Sequence, residues 1–142
     1  MAGRPWLLDT SVLVHLIRDK ELGRRIDGEY NLTATLGSTL ISVVTVGELY
    51  RFAMSWENEK KDRLTELLGH IVWVDINSPD ILWKFAEMRH HLKGRAVGDN
   101  DLWIAATTCV TNSILLTCDK DFDPLADTFI KRVWIDPGTK RT

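Results

Sequence analysis

Cysteine is scarce in this 142-residue chain, with Cys109 and Cys118 its only two. Two cysteines cannot build a disulfide framework, and they read as the reduced thiols of a cytosolic protein. Proline is equally sparse, at four residues, and there is no Pro/Gly-rich linker, repeat or low-complexity tract. Nothing marks a boundary, so one domain spanning 1–142 is expected, a size in the usual range of about 100–150 residues. Long apolar runs are missing: none approaches the roughly 18 residues a membrane span requires. The opening MAGRPWLLD runs into a strand-like segment and lacks the apolar stretch of a signal peptide. A soluble, cytoplasmic protein is therefore expected. An excess of one charge is absent too, with 18 Lys and Arg against 20 Asp and Glu for a net charge of -2. Nucleic-acid-binding domains are usually basic, so any contact with a polyanion must rest on a local patch. The 44% hydrophobic and 27% charged content is that of a globular chain and excludes a disordered or collagen-like one.

What is present is an alternation of short apolar runs with helix-like segments. Pro5–Leu8, Thr39–Val44, Ile71–Val74, Ile114–Thr117 and Arg132–Ile135 read as five strands, the last at an edge. Ser11–Arg18, Glu21–Tyr30, Asn58–Leu68 and Asn100–Val110 read as helices, the first capped by Thr10 or Ser11. Another runs from a Ser78 cap to about Leu92, with Ile81, Leu82, Phe85, Ala86 and Met88 as its inner side. Thr45 and Glu48 form a T-x-x-E capping box ahead of Leu49, Tyr50, Phe52 and Ala53. Strands alternating with helices predict an α/β fold, a three-layer α/β/α sandwich around a mainly parallel five-stranded sheet. In such sheets ligands bind beyond the carboxyl ends of the strands.

Acids fall at those ends. Asp9 closes the first strand, Glu48 lies a helical turn after the second, Asp99 and Asp101 open the Ala-rich helix, and Asp119 and Asp121 follow the fourth strand. Converging carboxylates repel one another, and a bare cluster forces some to protonate. A hard dication relieves that repulsion; oxygen-only ligands select Mg²⁺ or Mn²⁺, and the chemistry suited to such a site is phosphodiester hydrolysis. Each acid also has a structural reading: turn residue or cap for a lone Asp, capping box for Glu48, helix-dipole partner for Asp99 and Asp101. Thr10, Ser11 and Thr117 flank the acids as water holders or plain caps. Arg89, Lys93 and Arg95 lie in the most basic stretch of the chain, either meeting nucleic-acid phosphates or forming a solvated helix end. His90 and His91, adjacent on a helix, point apart and are no metal pair. His15 reads as a packed residue, Cys118 carries no chemistry, and the six tryptophans are mostly core or interface.

Four blocks, LLDTSVLV, VTVGEL, GDNDLWIAAT and LLTCDKDF, occur in an order and spacing that resembles the PIN-domain ribonucleases, and among them the VapC-type toxins of toxin–antitoxin pairs. The resemblance runs from Leu7 to about Asp136. It implies a parallel-sheet α/β/α fold, RNA cleavage with Mg²⁺ or Mn²⁺, a homodimer, and inhibition by a cognate antitoxin. On this likeness Asp9, Glu48, Asp101 and Asp119 are the catalytic, metal-holding acids, with Asp99 and Asp121 secondary. One departure is Phe52, where members of the family commonly have Gly four residues after the second acid. Two other classes remain open on the residues alone. A haloacid-dehalogenase-like phosphatase wants a second Asp where Ser11 stands. A non-catalytic receiver or inactive PIN-like module would use Asp75 or have lost one of the four acids.

Overall fold

The computed structural model describes residues 3–138. The chain runs β1 (Trp6–Leu8), α1 (Thr10–Arg18), α2 (Glu21–Tyr30), α3 (Leu32–Thr35), a 3₁₀ turn at Leu36–Ser38, β2 (Leu40–Ser42), α4 (Val43–Ala53) and α5 (Asn58–Gly69). It continues through β3 (Val72–Val74), α6 (Pro79–Leu92), α7 (Asp99–Val110), β4 (Ile114–Thr117), a second 3₁₀ stretch at Lys120–Leu125 and β5 (Lys131–Trp134). The five strands lie in the order β3-β2-β1-β4-β5 and every neighbouring pair is parallel. The expected three-layer α/β/α architecture is thus present, with β5 at an edge.

The layers follow from the two-residue period of a strand. In β1, Leu7 and Leu8 are both fully buried but face opposite ways. Leu8 joins Val12, Leu13, Ile26, Leu49 and Leu64 on the face covered by α1–α5. Leu7 joins Met88, Leu92, Leu102, Ala105 and Phe122 on the face covered by α6, α7 and the second 3₁₀ stretch. In β4 Leu115 and Leu116 split the same way. Short strands buried on both faces read as continuous apolar runs, as parallel strands do.

The boundary between β2 and α4 departs from the sequence expectation. The β-branched run through Val43 and Val44 suggested a strand to Val44, with Thr45 capping the helix. Instead the strand stops at Ser42, whose hydroxyl accepts the Val44 N–H at 3.1 Å. That cap satisfies one of the helix's orphan N–H groups, so the helix starts three residues early. Thr45 is then inside α4 and fully buried, and Glu48 is released from any capping role. Likewise Asp9, not Thr10 or Ser11, precedes α1, and its side chain makes no capping bond. On α6, Leu82 and Ala86 face outward while Ile81, Met88 and Leu92 are buried. Of the tryptophans, Trp103 stacks on Phe85 at 3.8 Å between ring centroids, whereas Trp83 stands 76% exposed.

One glycine sets the packing of the first helix pair. A Cβ on Gly23 of α2 would lie 2.2 Å from the His15 carbonyl oxygen of α1, a backbone atom that cannot swing aside. Alanine ordinarily favours a helix interior by up to about 1 kcal/mol over glycine; here overpacking, typically about 1–3 kcal/mol, wins. Gly23→Ala is expected to lower the thermal melting temperature, whereas Gly28→Ala, with open space around it, is expected to hold or raise it. Differential scanning calorimetry of the two variants checks this.

Candidate active site

The order of the strands places the site. The chain moves outward from β1 to β2 and β3, then crosses back to lay β4 on the other side of β1. The carboxyl ends of β1 and β4 therefore flank the point where the winding reverses, where open α/β sheets form their crevice. Asp9 directly follows β1 and Asp119 lies two residues past β4.

Asp9 is buried, 3% exposed. Its Oδ2 accepts the Ser11 hydroxyl at 2.7 Å and the Thr117 hydroxyl at 2.8 Å. Each hydroxyl is itself held by the backbone, Ser11 Oγ accepting the Cys118 N–H and Thr117 Oγ1 the Asp119 N–H, both at 3.0 Å. The ends of β1 and β4 are thereby tied through one carboxylate. Burial raises the Asp9 pKa and the two hydroxyl bonds hold it down in part. Glu48, half-buried on α4, accepts Thr10 Oγ1 at 2.7 Å on one oxygen and Asn100 Nδ2 at 3.3 Å on the other. Thr10, Ser11 and Thr117 thus bond directly to the acids.

Asp101, in the first turn of α7, is pushed up to about 7, first by burial and then by the charges of Asp9, Asp119, Asp121 and Glu48. Asp119 accepts the Asp121 N–H at 2.9 Å, and its charge is the main reason the Asp121 pKa is also raised. Asp101, Asp119 and Asp121 each bring an oxygen within 4.8 Å of the others. Asp9, Glu48, Asp101 and Asp119 line one cleft of about 380 Å³. Four acids up to 110 positions apart in the chain have converged, and oxygen donors alone suit a hard dication. The raised pKa of Asp101, to which the neighbouring carboxylates contribute, marks a repulsion that such an ion would remove.

Other residues fall elsewhere. Asp99 turns away and takes Arg89 at 2.6 Å, so this pair neutralises itself. Lys93 and Arg95 are exposed, and neither lines the acidic cleft. His15 is half-buried at the cleft rather than packed in the core; burial and the nearby Arg18 push its pKa down. The Cys118 thiol is pushed up to about 11 by burial and by Asp9, which keeps it protonated and unreactive. Asp75 is exposed after the edge strand β3, bonded to the Asn77 N–H, and lies outside the cleft. Asn100 was not singled out from the sequence. Its only signal was its place between two acids at a helix start.

A carboxylate pocket at the switch point of a parallel α/β/α sheet defines a class of α/β protein whose oxygen donors suit a divalent cation. The PIN domain family model matches residues 6–127, most of the chain, and the chain belongs to that family. It is similar to "Ribonuclease VapC1" of Haemophilus influenzae (strain R2866), 29% identical over 126 residues covering 86% of this chain and 92% of that protein. It is equally similar, at 29% over 116 residues, to "Ribonuclease VapC1" of Methanocaldococcus jannaschii, covering 80% of this chain and 75% of that one. Among solved structures, the fold is shared with a chain of VapBC2 from Rickettsia felis bound to a promoter DNA fragment. That match has a TM-score of 0.75 and 21% identity, covering 92% of this chain and 98% of that chain. A chain of VapBC-1 from Haemophilus influenzae matches with a TM-score of 0.70 and 23% identity, covering 91% and 96%.

The raised carboxylates make stability depend on pH in a definite sense. In the folded, metal-free protein Asp101 keeps its proton up to about pH 7, whereas the unfolded chain releases it near pH 4. The folded state then binds more protons across that window, so stability falls as pH rises through it. Melting temperature in EDTA is expected to drop from about pH 5 to about pH 8. Asp101→Asn is expected to flatten that drop and to melt higher than the parent at pH 8.

Proposed function

We propose that this protein is a metal-dependent endoribonuclease, the toxin of a VapBC-type toxin–antitoxin pair, acting in the cytoplasm on RNA. The observation that carries this reading is the convergence of Asp9, Glu48, Asp101 and Asp119 on one cleft. It is supported by the relatives named as ribonucleases and by neighbours solved as VapBC assemblies. The cognate antitoxin is its inhibitor, and the working form is a homodimer.

The residues divide the task. Asp101, Asp119 and Asp121 offer the closest set of oxygens for Mg²⁺ or Mn²⁺, with Asp9 and Glu48 completing the acidic wall. The ion supplies neutralisation of phosphate charge and activation of water for attack on phosphorus. Asp9 cannot swing away, since Ser11 and Thr117 fix its carboxylate. Thr10 and Asn100 fix Glu48 from two sides, so both acids meet the substrate in a set orientation without reorganisation. Asp101, with its pKa pushed up to about 7, would hold a cation only as the carboxylate, so metal binding would weaken in acid.

Asp9→Asn and Asp101→Asn are each expected to lower Mn²⁺-dependent cleavage of total cellular RNA by about 10²-fold or more, the scale of several kcal/mol of lost charge stabilisation. Gel electrophoresis of RNA with Mn²⁺ against EDTA reads the loss, and circular dichroism shows the fold retained. Mn²⁺ is expected to raise the melting temperature of the parent but far less that of Asp101→Asn. Undiminished cleavage by either variant sinks the assignment.

A further inference from the structure

The acidic cleft is one end of a longer groove. On α1 the residues Ser11, Val14, His15 and Arg18 form a single stripe, spaced by three, four and seven positions. On α4, Arg51 and Phe52 follow Glu48 by one helical turn. Val14, Arg18 and Phe52 line the acidic cleft and also the adjoining hollow, which continues over Arg51, Ser55, Trp56 and Lys60. The charge reverses along this path. The inner end holds four carboxylates, whereas the adjoining hollow has Arg18, Arg51 and Lys60 and no acid. Among the described residues none of these three cations is in an ion pair. Farther out Glu57 and Glu59 join the lining beside Lys60 and Arg63, so the excess of positive charge ends there.

Aromatic rings accompany the cations. The Arg51 guanidinium lies 4.9 Å from the centre of the Phe52 ring, and Phe52 is 36% exposed. The Lys60 ammonium sits 4.1 Å over the Trp56 ring, which holds it against the groove wall. A chain of phosphates approaching four carboxylates is repelled, and fixed cations one or two turns away offset that repulsion. Flat rings and guanidinium planes beside them suit unpaired bases.

We propose that this groove holds the single-stranded RNA on one side of the scissile phosphate, with Arg18, Arg51 and Lys60 taking phosphates and the Arg51–Phe52 pair stacking a base. The proposal rests on the ribonuclease reading for its substrate class. It moves the RNA track away from the basic stretch near the end of α6, where Arg89 is spent on Asp99 and Lys93 and Arg95 do not reach the cleft lining. It also gives a use to Phe52, the one departure from the family pattern.

The test is fluorescence anisotropy with a labelled oligouridylate of about 12 nucleotides, within the span such sites cover, in EDTA so that nothing is cleaved. The Arg51→Gln/Lys60→Gln double variant is expected to bind about tenfold more weakly. Its log–log salt slope should be shallower by about 1.4, two phosphate contacts at about 0.7 each. Lys93→Gln/Arg95→Gln is expected to bind as the parent does. Phe52→Leu, which keeps the charge, is expected to weaken the oligouridylate but not a labelled oligoglutamate peptide. Parental affinity in the groove variant, or a loss confined to the Lys93/Arg95 variant, overturns the proposal. So does an oligoglutamate that binds the groove more tightly than the RNA, which would make an acidic protein segment its occupant. Metal-dependent cleavage by the parent is scored separately. Its absence with groove-dependent binding intact counts against the nuclease reading and leaves the groove standing.

Discussion

A buried carboxylate between two parallel strands organises this molecule. Asp9 follows the central strand and is almost wholly removed from water. An uncompensated charge in that position costs several kcal/mol. Two hydroxyls, from Ser11 and from the last residue of β4, meet it, and the backbone after β4 holds both hydroxyls in turn. The same contacts that make the burial tolerable lock the ends of β1 and β4 together. They also bring Asp119 and Asp121 beside α7 and Asp101. The geometry of the cleft is a consequence of satisfying one acid.

The remainder of the site stores repulsion that the fold does not relieve. Asp9, Asp101 and Asp121 all have raised pKa values, and neighbouring negative charge contributes to each. Arg89 of α6 is committed to Asp99 at the start of α7. A protein selected for stability alone would place a lysine or arginine among these acids. Natural chains accept such local strain where function requires it, and here the unmet need is for positive charge supplied from outside. The cations of α1, α4 and α5 stand off to one side along the groove. They soften the field met by an incoming polyanion without neutralising the acids themselves.

Most of the architecture was legible because its signals are local. Leu7 and Leu8, or Leu115 and Leu116, announce a strand buried on both faces within two residues, and an acid just past each run marks a crevice edge. Boundaries were less legible where two local signals competed. Val43 and Val44 favour a strand, but the Ser42 hydroxyl reaches the Val44 N–H and the helix wins. That single cap decides whether Glu48 serves the helix or the cleft. Asp121 looked secondary beside Asp119, yet the 3₁₀ turn brings its oxygen near that of Asp101. Arg89, Lys93 and Arg95 formed the densest basic run, but density along the chain carries no information about which cation already has a partner.

The amino-acid order alone therefore determined the alternation of strands and helices, the parallel sheet and the presence of acids at strand ends, since each depends on residues within a turn or a pleat of one another. Only the folded chain decided which acids face each other, that Asn100 steadies Glu48 across 52 positions, and that Arg18 and Lys60 share one groove. Those pairings join segments whose separation is set by how helices pack across the sheet, and short-range side-chain preference does not encode that distance.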